Sequence, residues 1–377
     1  MKKIICVLLS TVLVTTGINT AYAATEYDAT ENNKTDLIAM SEGTPYAVTG
    51  GNIYYDPTSG IVTDADETVT EVNIPESIDG VKITEIGEQA LQSCGNLVKI
   101  TLSDNIVNIG DFAFDKCYNL KDIIIPNSVI NIGAYAFGDC TSLTKINIPK
   151  SVKSIGHDAF ADCSNLISVV IPDSVEYIDY EAFTGCCSLT DINIPNGTAY
   201  ITFALFAGCS SLKSITIPNS VKFIVDQAFE NCTSLTSIII PGGVTNIGDY
   251  AFGDCDNLTS VTIPDSVTSL SERAFYNCNS LKTVYCYRNS TADDTSLYPD
   301  GVTIIYLDDS ATETTTETES TTETTTEAVP IIGDPNNDGV VSASDAADVL
   351  QKALNPNFKT VCENIFPNTY FILICLM

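Results

Sequence analysis

From residue 91 to residue 281 the apolar positions of this chain recur every 23 residues. Cys94, Cys117, Cys140, Cys163, Cys186, Cys209, Cys232, Cys255 and Cys278 are evenly spaced, and a leucine follows each by three residues, from Leu97 to Leu281. A phenylalanine precedes eight of them by three residues, from Phe114 to Phe275, with Leu91 in that place in the first unit. Proline keeps the same period from Pro126 to Pro264. A repeat of this length, held in one register over nine units, marks a stack of structural repeats.

The unit from Leu120 to Cys140 reads as follows. Leu120, Ile123 and Ile125 share one face, the last two with the two-residue period of a strand. Pro126 ends that strand, having no amide hydrogen for a ladder, and Asn127-Ser128 is turn chemistry. Val129 and Ile132 supply a second inward edge. Gly133 stands where a Cβ is opposed. Ala136, Phe137 and Cys140 pack back along a short helical or irregular arm. One unit cannot bury these groups alone; stacked neighbours make a continuous core. The expected fold is a β-rich α/β repeat solenoid of 23-residue units.

Strings such as Ile125-Pro126-Asn127-Ser128-Val129, Ile132-Gly133 and Ala136-Phe137-Gly138-Asp139-Cys140 resemble the BspA-type leucine-rich repeat family over residues 72–286. The resemblance implies an exported or surface binding protein whose repeats have no catalytic activity. The ends depart from the unit. Residues 46–56 and 60–74 read as strands of an N-terminal cap within 24–71. The first unit is five residues longer than its successors between Pro75 and Gly87. Residues 282–286 and 302–307 read as closing strands of a solenoid domain at 72–309.

Lys2 and Lys3, an apolar run from Ile4 to Val14, and Ala21-Tyr22-Ala23 predict a signal peptide at 1–23. No later run reaches the roughly 20 apolar residues of a membrane span. The net charge of −31 excludes nucleic-acid binding through phosphates. Fourteen cysteines in an exported chain ordinarily suggest disulfides. The parallel side chains of a ladder suit a bridge poorly, so the expectation is buried free thiols, with Cys187 facing outward. A zinc site is not expected, since there is no CxxC pair and one histidine.

That histidine, His157, occupies a variable position filled elsewhere by Asp111, Ala134 and Asp249, which argues for a surface residue and against a catalytic one. The acidic residues of the repeats also fall on variable positions, and there is no tryptophan for a sugar platform. The repeat domain therefore reads as non-enzymatic. Its candidate binding surface is the column of outward strand residues, in which Ile124, Val170, Ile239 and Tyr285 are apolar. The alternative is ordinary exposed strand positions.

Residues 310–330 are almost only threonine and glutamate, the composition of an extended linker. In 331–360, Asp334, Asn336, Asp338 and Asp345 fall at positions 1, 3, 5 and 12 of a calcium loop, with Gly339 at 6, the Val340 carbonyl at 7 and Ser342 at 9. A helical pattern follows in Ala346, Val349, Leu350 and Leu354. The segment is similar to a type I dockerin. That resemblance implies a small, partial α-helical EF-hand-like module that binds calcium and docks on a cohesin module of a scaffoldin, with Ala343 and Ser344 at partner-recognition positions. Dockerins carry two such loops and this chain carries one; residues 361–377 form a hydrophobic tail that reads as a truncation or frameshift. The expected function is a secreted, non-catalytic adhesion protein tethered to a cellulosome-like scaffold, its solenoid facing a protein or glycan ligand. The alternatives are a component of a polysaccharide-degrading complex with hydrolytic activity, and a free adhesin.

Overall fold

The structure, a computed structural model, describes residues 43–308. The expected signal segment, linker, calcium loop and hydrophobic tail lie outside the described residues.

A regular coil contributes a three-residue strand and a two-residue strand. The longer ones include Lys99–Thr101, Asp122–Ile124, Lys145–Asn147 and Ser168–Val170; the shorter ones include Asn108–Ile109, Asn131–Ile132, Ser154–Ile155 and Tyr177–Ile178. Both series pair in parallel with their counterparts one repeat away: Ile123 lies opposite Ile100, and Ile132 opposite Ile109 and Ile155. The inward residue of each strand is buried, as in Ile100, Ile123, Ile146 and Val169 on the long-strand side and Ile109, Ile132 and Ile155 on the short-strand side. Between the sheets lies a column of phenylalanines. From Phe114 to Phe160, and again from Phe206 to Phe275, their ring centroids are 5.2 to 5.4 Å apart.

The third side of the coil is not helical. Among the described residues there is no α-helix, only two 3-10 segments, Thr291–Asp293 and Thr295–Leu297, near the end. The α/β reading of the repeat is corrected to an all-β coil closed by turns. The cause is visible in the hydrogen bonds. Phe112, Phe114 and Lys116 donate their amides to Ala134, Ala136 and Gly138 of the next coil, at 2.7 to 2.8 Å. The alternate amides of Ala113 and Asp115 close turns onto Gly110 and Phe112. That alternation forces positive φ at fixed points. Phe112, Tyr135, Asp158 and Glu181 have φ of 51 to 57°, and Lys116, Asp139 and Asp162 have φ of 55 to 61°. A right-handed helix cannot contain such residues. The strain is offset because every arm amide named here finds a carbonyl in a site closed to water.

Gly133 shows how closely the coils approach. A Cβ there would lie 2.6 Å from both Asp111 N and Gly110 C of the preceding coil, so at Gly133 itself a side chain would require the neighbouring backbone to shift.

The N-terminal cap begins with strands Thr44–Val48 and Gly51–Asp56, paired antiparallel. Ile61–Ala65 is antiparallel to the second of these and parallel to Glu85–Ile86, so it joins the cap to the short-strand sheet. The extra residues of the first unit form a small hairpin, Ser77–Ile78 against Val81–Lys82. Its two-residue turn, Asp79-Gly80, has φ of 51 and 83°, the backbone that Asp-Gly favours in hairpins. At the other end Thr303–Tyr306 pairs in parallel with Thr283–Cys286.

Both sheets are interrupted at one place. The short-strand sheet ends at Tyr177–Ile178 and a new one starts at Tyr200–Ile201; the long-strand sheet ends at Asp191–Ile192 and resumes at Ser237–Ile239. The arm stays joined there, with Glu181, Phe183 and Gly185 donating to Phe203, Leu205 and Ala207 at 2.8 to 3.1 Å. The ring spacing between Phe183 and Phe206 widens to 6.1 Å.

The core rings should carry most of the stability. Phe160→Ala, at a fully buried position, should cost about 3–5 kcal/mol. Ile124→Ala, on the outer face, should change stability by less than about 0.5 kcal/mol. Urea unfolding followed by circular dichroism checks both.

Candidate functional site

The outward column of the long-strand face is where the sequence places it. Ile124, Val170 and Ile239 are 75, 70 and 71% exposed, well above the usual exposure of large aliphatic side chains in a folded domain. Ile124 lies opposite Thr101 and Asn147, and Asn147 opposite Val170. Ile124 and Val170 therefore stand two strands apart on one sheet, roughly 10 Å from each other. Tyr285 departs from the expectation of an open position: it is half-buried, with Ile305 of the closing strand beside it and Thr262 on its other side. The column is also divided. Ile239 and Tyr285 belong to the sheet beyond the interruption, so the four residues form two patches and not one stripe.

The interruption has a local cause. In neighbouring coils the amide after the short strand donates to the isoleucine carbonyl one coil back: Gly156 to Ile132 at 2.9 Å, Asp179 to Ile155 at 3.0 Å, Val225 to Ile201 at 2.9 Å. In the interrupted coil Thr202 lies at that level, and its hydroxyl donates to Asp179 O at 3.1 Å while lying 3.5 Å from Ile178 O. A side chain has entered the backbone ladder. The same coil carries Thr198, only partly buried, where its neighbours bury Val175 and Val221. On the opposite face Ile215 is likewise only partly buried. The last strand before the gap is closed by Asn193, whose carboxamide accepts from Ile171 N at 2.8 Å and donates to Ile171 O at 2.7 Å. That bond pair faces the coil before it and satisfies Ile171 where the shortened strand no longer pairs.

The parting leaves a cleft on each face. The one on the long-strand side, about 380 Å³, is lined by residues such as Asn193, Asn196 and Ile215. The one on the short-strand side, about 580 Å³, is walled by Tyr177, Tyr180, Tyr200 and Phe203 with Glu176 and Asp179. Sequence reasoning missed both. The signal was present in the loss of the repeat glycine at Asp179, Thr202 and Val225 and of the repeat valine at Thr198.

His157 is less open than its variable position suggests. It is half-buried, stacked on Tyr180 at 4.9 Å and edge-on to Tyr135 at 5.2 Å, with Nδ1 3.1 Å from the Asp158 carboxylate. Burial raises the Asp158 carboxyl above the usual carboxylate range, and its bonds to His157 and Tyr135 oppose that rise. Asp334, Asn336, Asp338, Val340, Ser342, Asp345, Ala343 and Ser344 lie outside the described residues.

The family model described as "BspA type Leucine rich repeat region" matches residues 65–190 and 180–299, more than half of the chain. The chain belongs to the BspA-type leucine-rich repeat family. A leucine-rich repeat protein from Bacteroides ovatus is similar in structure, with 28% identity, a TM-score of 0.56, and 69% of this chain and 78% of that one covered. The leucine-rich repeat protein of T. pallidum matches at 28% identity and a TM-score of 0.45, covering 56% of this chain and 90% of that one. A leucine rich cell surface protein from Faecalibacterium prausnitzii matches at 22% identity and a TM-score of 0.34, covering 66 and 96%. No curated protein matches. The family found is one of leucine-rich repeat proteins, and none of the matches indicates a catalytic family.

In this BspA-type solenoid the cysteine ladder is a column of buried free thiols. The Sγ of Cys140 lies 3.2 Å from the carbonyl of Phe114, that of Cys163 3.2 Å from Phe137 O, and that of Cys186 3.3 Å from Phe160 O. Each of these carbonyls also accepts the amide of the cysteine in its own turn, as Phe114 O does from Cys117. A small apolar side chain with one weak donor suits this place. Burial pushes the thiols up, Cys232 and Cys278 to about 12 and Cys140 and Cys186 well above the ordinary value. Cys187 is exposed.

Thiol reactivity should follow this division. In the native chain at pH 8, iodoacetamide should modify Cys187 and leave Cys140, Cys163, Cys186 and Cys232 unmodified, because the thiolate is the nucleophile. All should react in 6 M guanidinium. Peptide mass mapping reads the result, and native labelling of Cys163 equal to that of Cys187 would contradict it.

Proposed function

We propose that the chain is an exported, non-catalytic adhesion protein that offers the outer face of its solenoid to a protein partner. The observation that carries this reading is the pair Ile124 and Val170, two large aliphatic side chains more than two-thirds exposed on one hydrogen-bonded sheet. Membership of a leucine-rich repeat family supports a protein ligand. The basic and apolar N-terminal segment supports export. Among the described residues no helix is long and apolar enough to cross a membrane.

Attachment forms the second half of the proposal. The loop from Asp334 to Asp345 supplies side-chain oxygens from Asp334, Asn336, Asp338, Ser342 and Asp345 and the Val340 carbonyl, a set of hard donors suited to calcium. Ala343 and Ser344, at positions 10 and 11 of the loop, and the helix pattern after it would then engage a cohesin module on a scaffold. The Thr/Glu stretch before it has the composition of an extended spacer between the two working parts.

Two measurements test these halves. The double variant Ile124→Asp, Val170→Asp should lower binding to an immobilised panel of extracellular proteins at least tenfold while leaving the melting temperature unchanged; full retention of binding refutes a role for this face. Isothermal titration of the full chain with calcium should give one site, lost in Asp338→Ala, and capture on immobilised cohesins should disappear with a chelator. No calcium heat in the wild-type chain would remove the tether and leave a free adhesin. Hydrolysis of plant polysaccharide by the purified chain, abolished by substitutions in the repeats, would instead favour the degrading-complex reading.

A further inference from the structure

We infer that the cleft on the short-strand side of the interrupted coil is a binding site for an arginine side chain carried on an exposed segment of a partner protein. This rests on the adhesion reading and assigns it a second contact point, on a different face from the Ile124 and Val170 patch.

The wall of the cleft holds four aromatic residues, Tyr177, Tyr180, Tyr200 and Phe203, each between 39 and 54% exposed. Its charged residues are two carboxylates, Glu176 and Asp179, and no lysine or arginine lines it. Glu176 is paired with Lys153 at 2.8 Å. Asp179 uses one oxygen, Oδ1, to accept from the Tyr177 hydroxyl at 2.9 Å and from the Tyr180 amide at 2.8 Å. Those bonds hold the carboxylate between two tyrosines and leave Oδ2 as an acceptor. An aromatic wall with a carboxylate fixed inside it attracts a planar cation on both counts: ring faces through their negative quadrupole, and the carboxylate through charge-assisted hydrogen bonds.

The same molecule builds this arrangement internally. The Arg273 guanidinium lies 5.7 Å from the centre of the Tyr250 ring, with Nη1 3.4 Å from the carboxylate of Asp249. Arg288 lies 3.9 Å above the ring of Tyr306. The dipeptide Asp249-Tyr250 thus receives an arginine from its own chain, and the dipeptide Asp179-Tyr180, set one position earlier in the repeat, presents the same two kinds of side chain to the cleft. The net charge of −31 favours a cationic partner over a neutral or anionic one at long range. Arginine is favoured over lysine because its flat, weakly hydrated head stacks on rings while its N–H groups reach a carboxylate.

Asp179 keeps its own ladder bond, donating to Ile155 O at 3.0 Å, so the parting lies one coil further on, at Thr202. Giving up one ladder bond at Thr202 opens the coil and exposes the ring faces beside it.

The test uses the full chain and a fluorescein-labelled peptide, Gly-Arg-Gly-Arg-Gly, followed by fluorescence anisotropy. The wild-type chain should bind it. Asp179→Asn and Tyr180→Leu should each weaken binding roughly tenfold, while Tyr180→Phe, which keeps the ring, should retain it. Asp122→Asn makes the same change of charge on the other face and should have no effect. Circular dichroism confirms that each variant is folded. Equal loss in Asp122→Asn and Asp179→Asn would reduce the effect to overall charge and overturn the site, as would absence of binding by the wild type at 1 mM peptide. Displacement of the peptide by cellohexaose at lower concentration than by free arginine would overturn it in favour of a sugar. A protein partner whose affinity depends on Ile124 and Val170 but ignores Asp179→Asn would overturn this inference and leave the adhesion reading standing.

Discussion

The distance between successive coils governs everything else in this solenoid. Parallel strands bond only when their backbones lie roughly 4.8 Å apart, and on this spacing the chain must fit a complete turn of core residues every 23 positions. Each recurring residue answers that demand. The phenylalanines are flat enough to stack at 5.2 to 5.4 Å. The cysteines are small enough to repeat without collision, and they give a weak bond to the coil before them. The glycine after the short strand gives up its side chain because the preceding backbone occupies the space.

The sheets were legible in the sequence because one environment is repeated nine times, so that each inward position is effectively read nine times over. The arm was not. Ala136, Phe137 and Cys140 have the three- and four-residue spacing of a helical face, and in isolation that pattern favours a helix. What decides against it is a partner outside the unit: the carbonyls of the next coil take the amides that a helix would bond to itself. No single unit contains that information. Tyr285 failed for a related reason, since its exposure depends on a closing strand, Thr303–Tyr306, that is not part of the repeat.

The clefts were hidden by the regularity that made the fold readable. A repeat pattern directs attention to what recurs, whereas the distinctive surface here comes from residues that fail to recur. Asp179, Thr202 and Val225 replace one glycine in three consecutive coils, yet the ladder parts only at Thr202, where the hydroxyl competes for the carbonyls and the core valine is also missing. A side chain alone is tolerated, as the intact bonds of Asp179 and Val225 show. It is the coincidence of the two departures in one coil that opens the stack.

The interrupted coil divides the molecule into two blocks joined along a single edge. In a repeat protein cooperativity passes from neighbour to neighbour through their shared interfaces. Here the arm supplies the backbone hydrogen bonds between the two blocks, with the Thr202 hydroxyl bonded to Asp179 O and the widened Phe183–Phe206 contact beside it. A load applied between the two ends of the solenoid would then be borne unevenly: the strands on either side share it among many rungs, while at the junction it concentrates on the turns between Glu181 and Ala207. Under such a load the solenoid would part first at this junction, before the hydrogen-bonded rows on either side are disturbed.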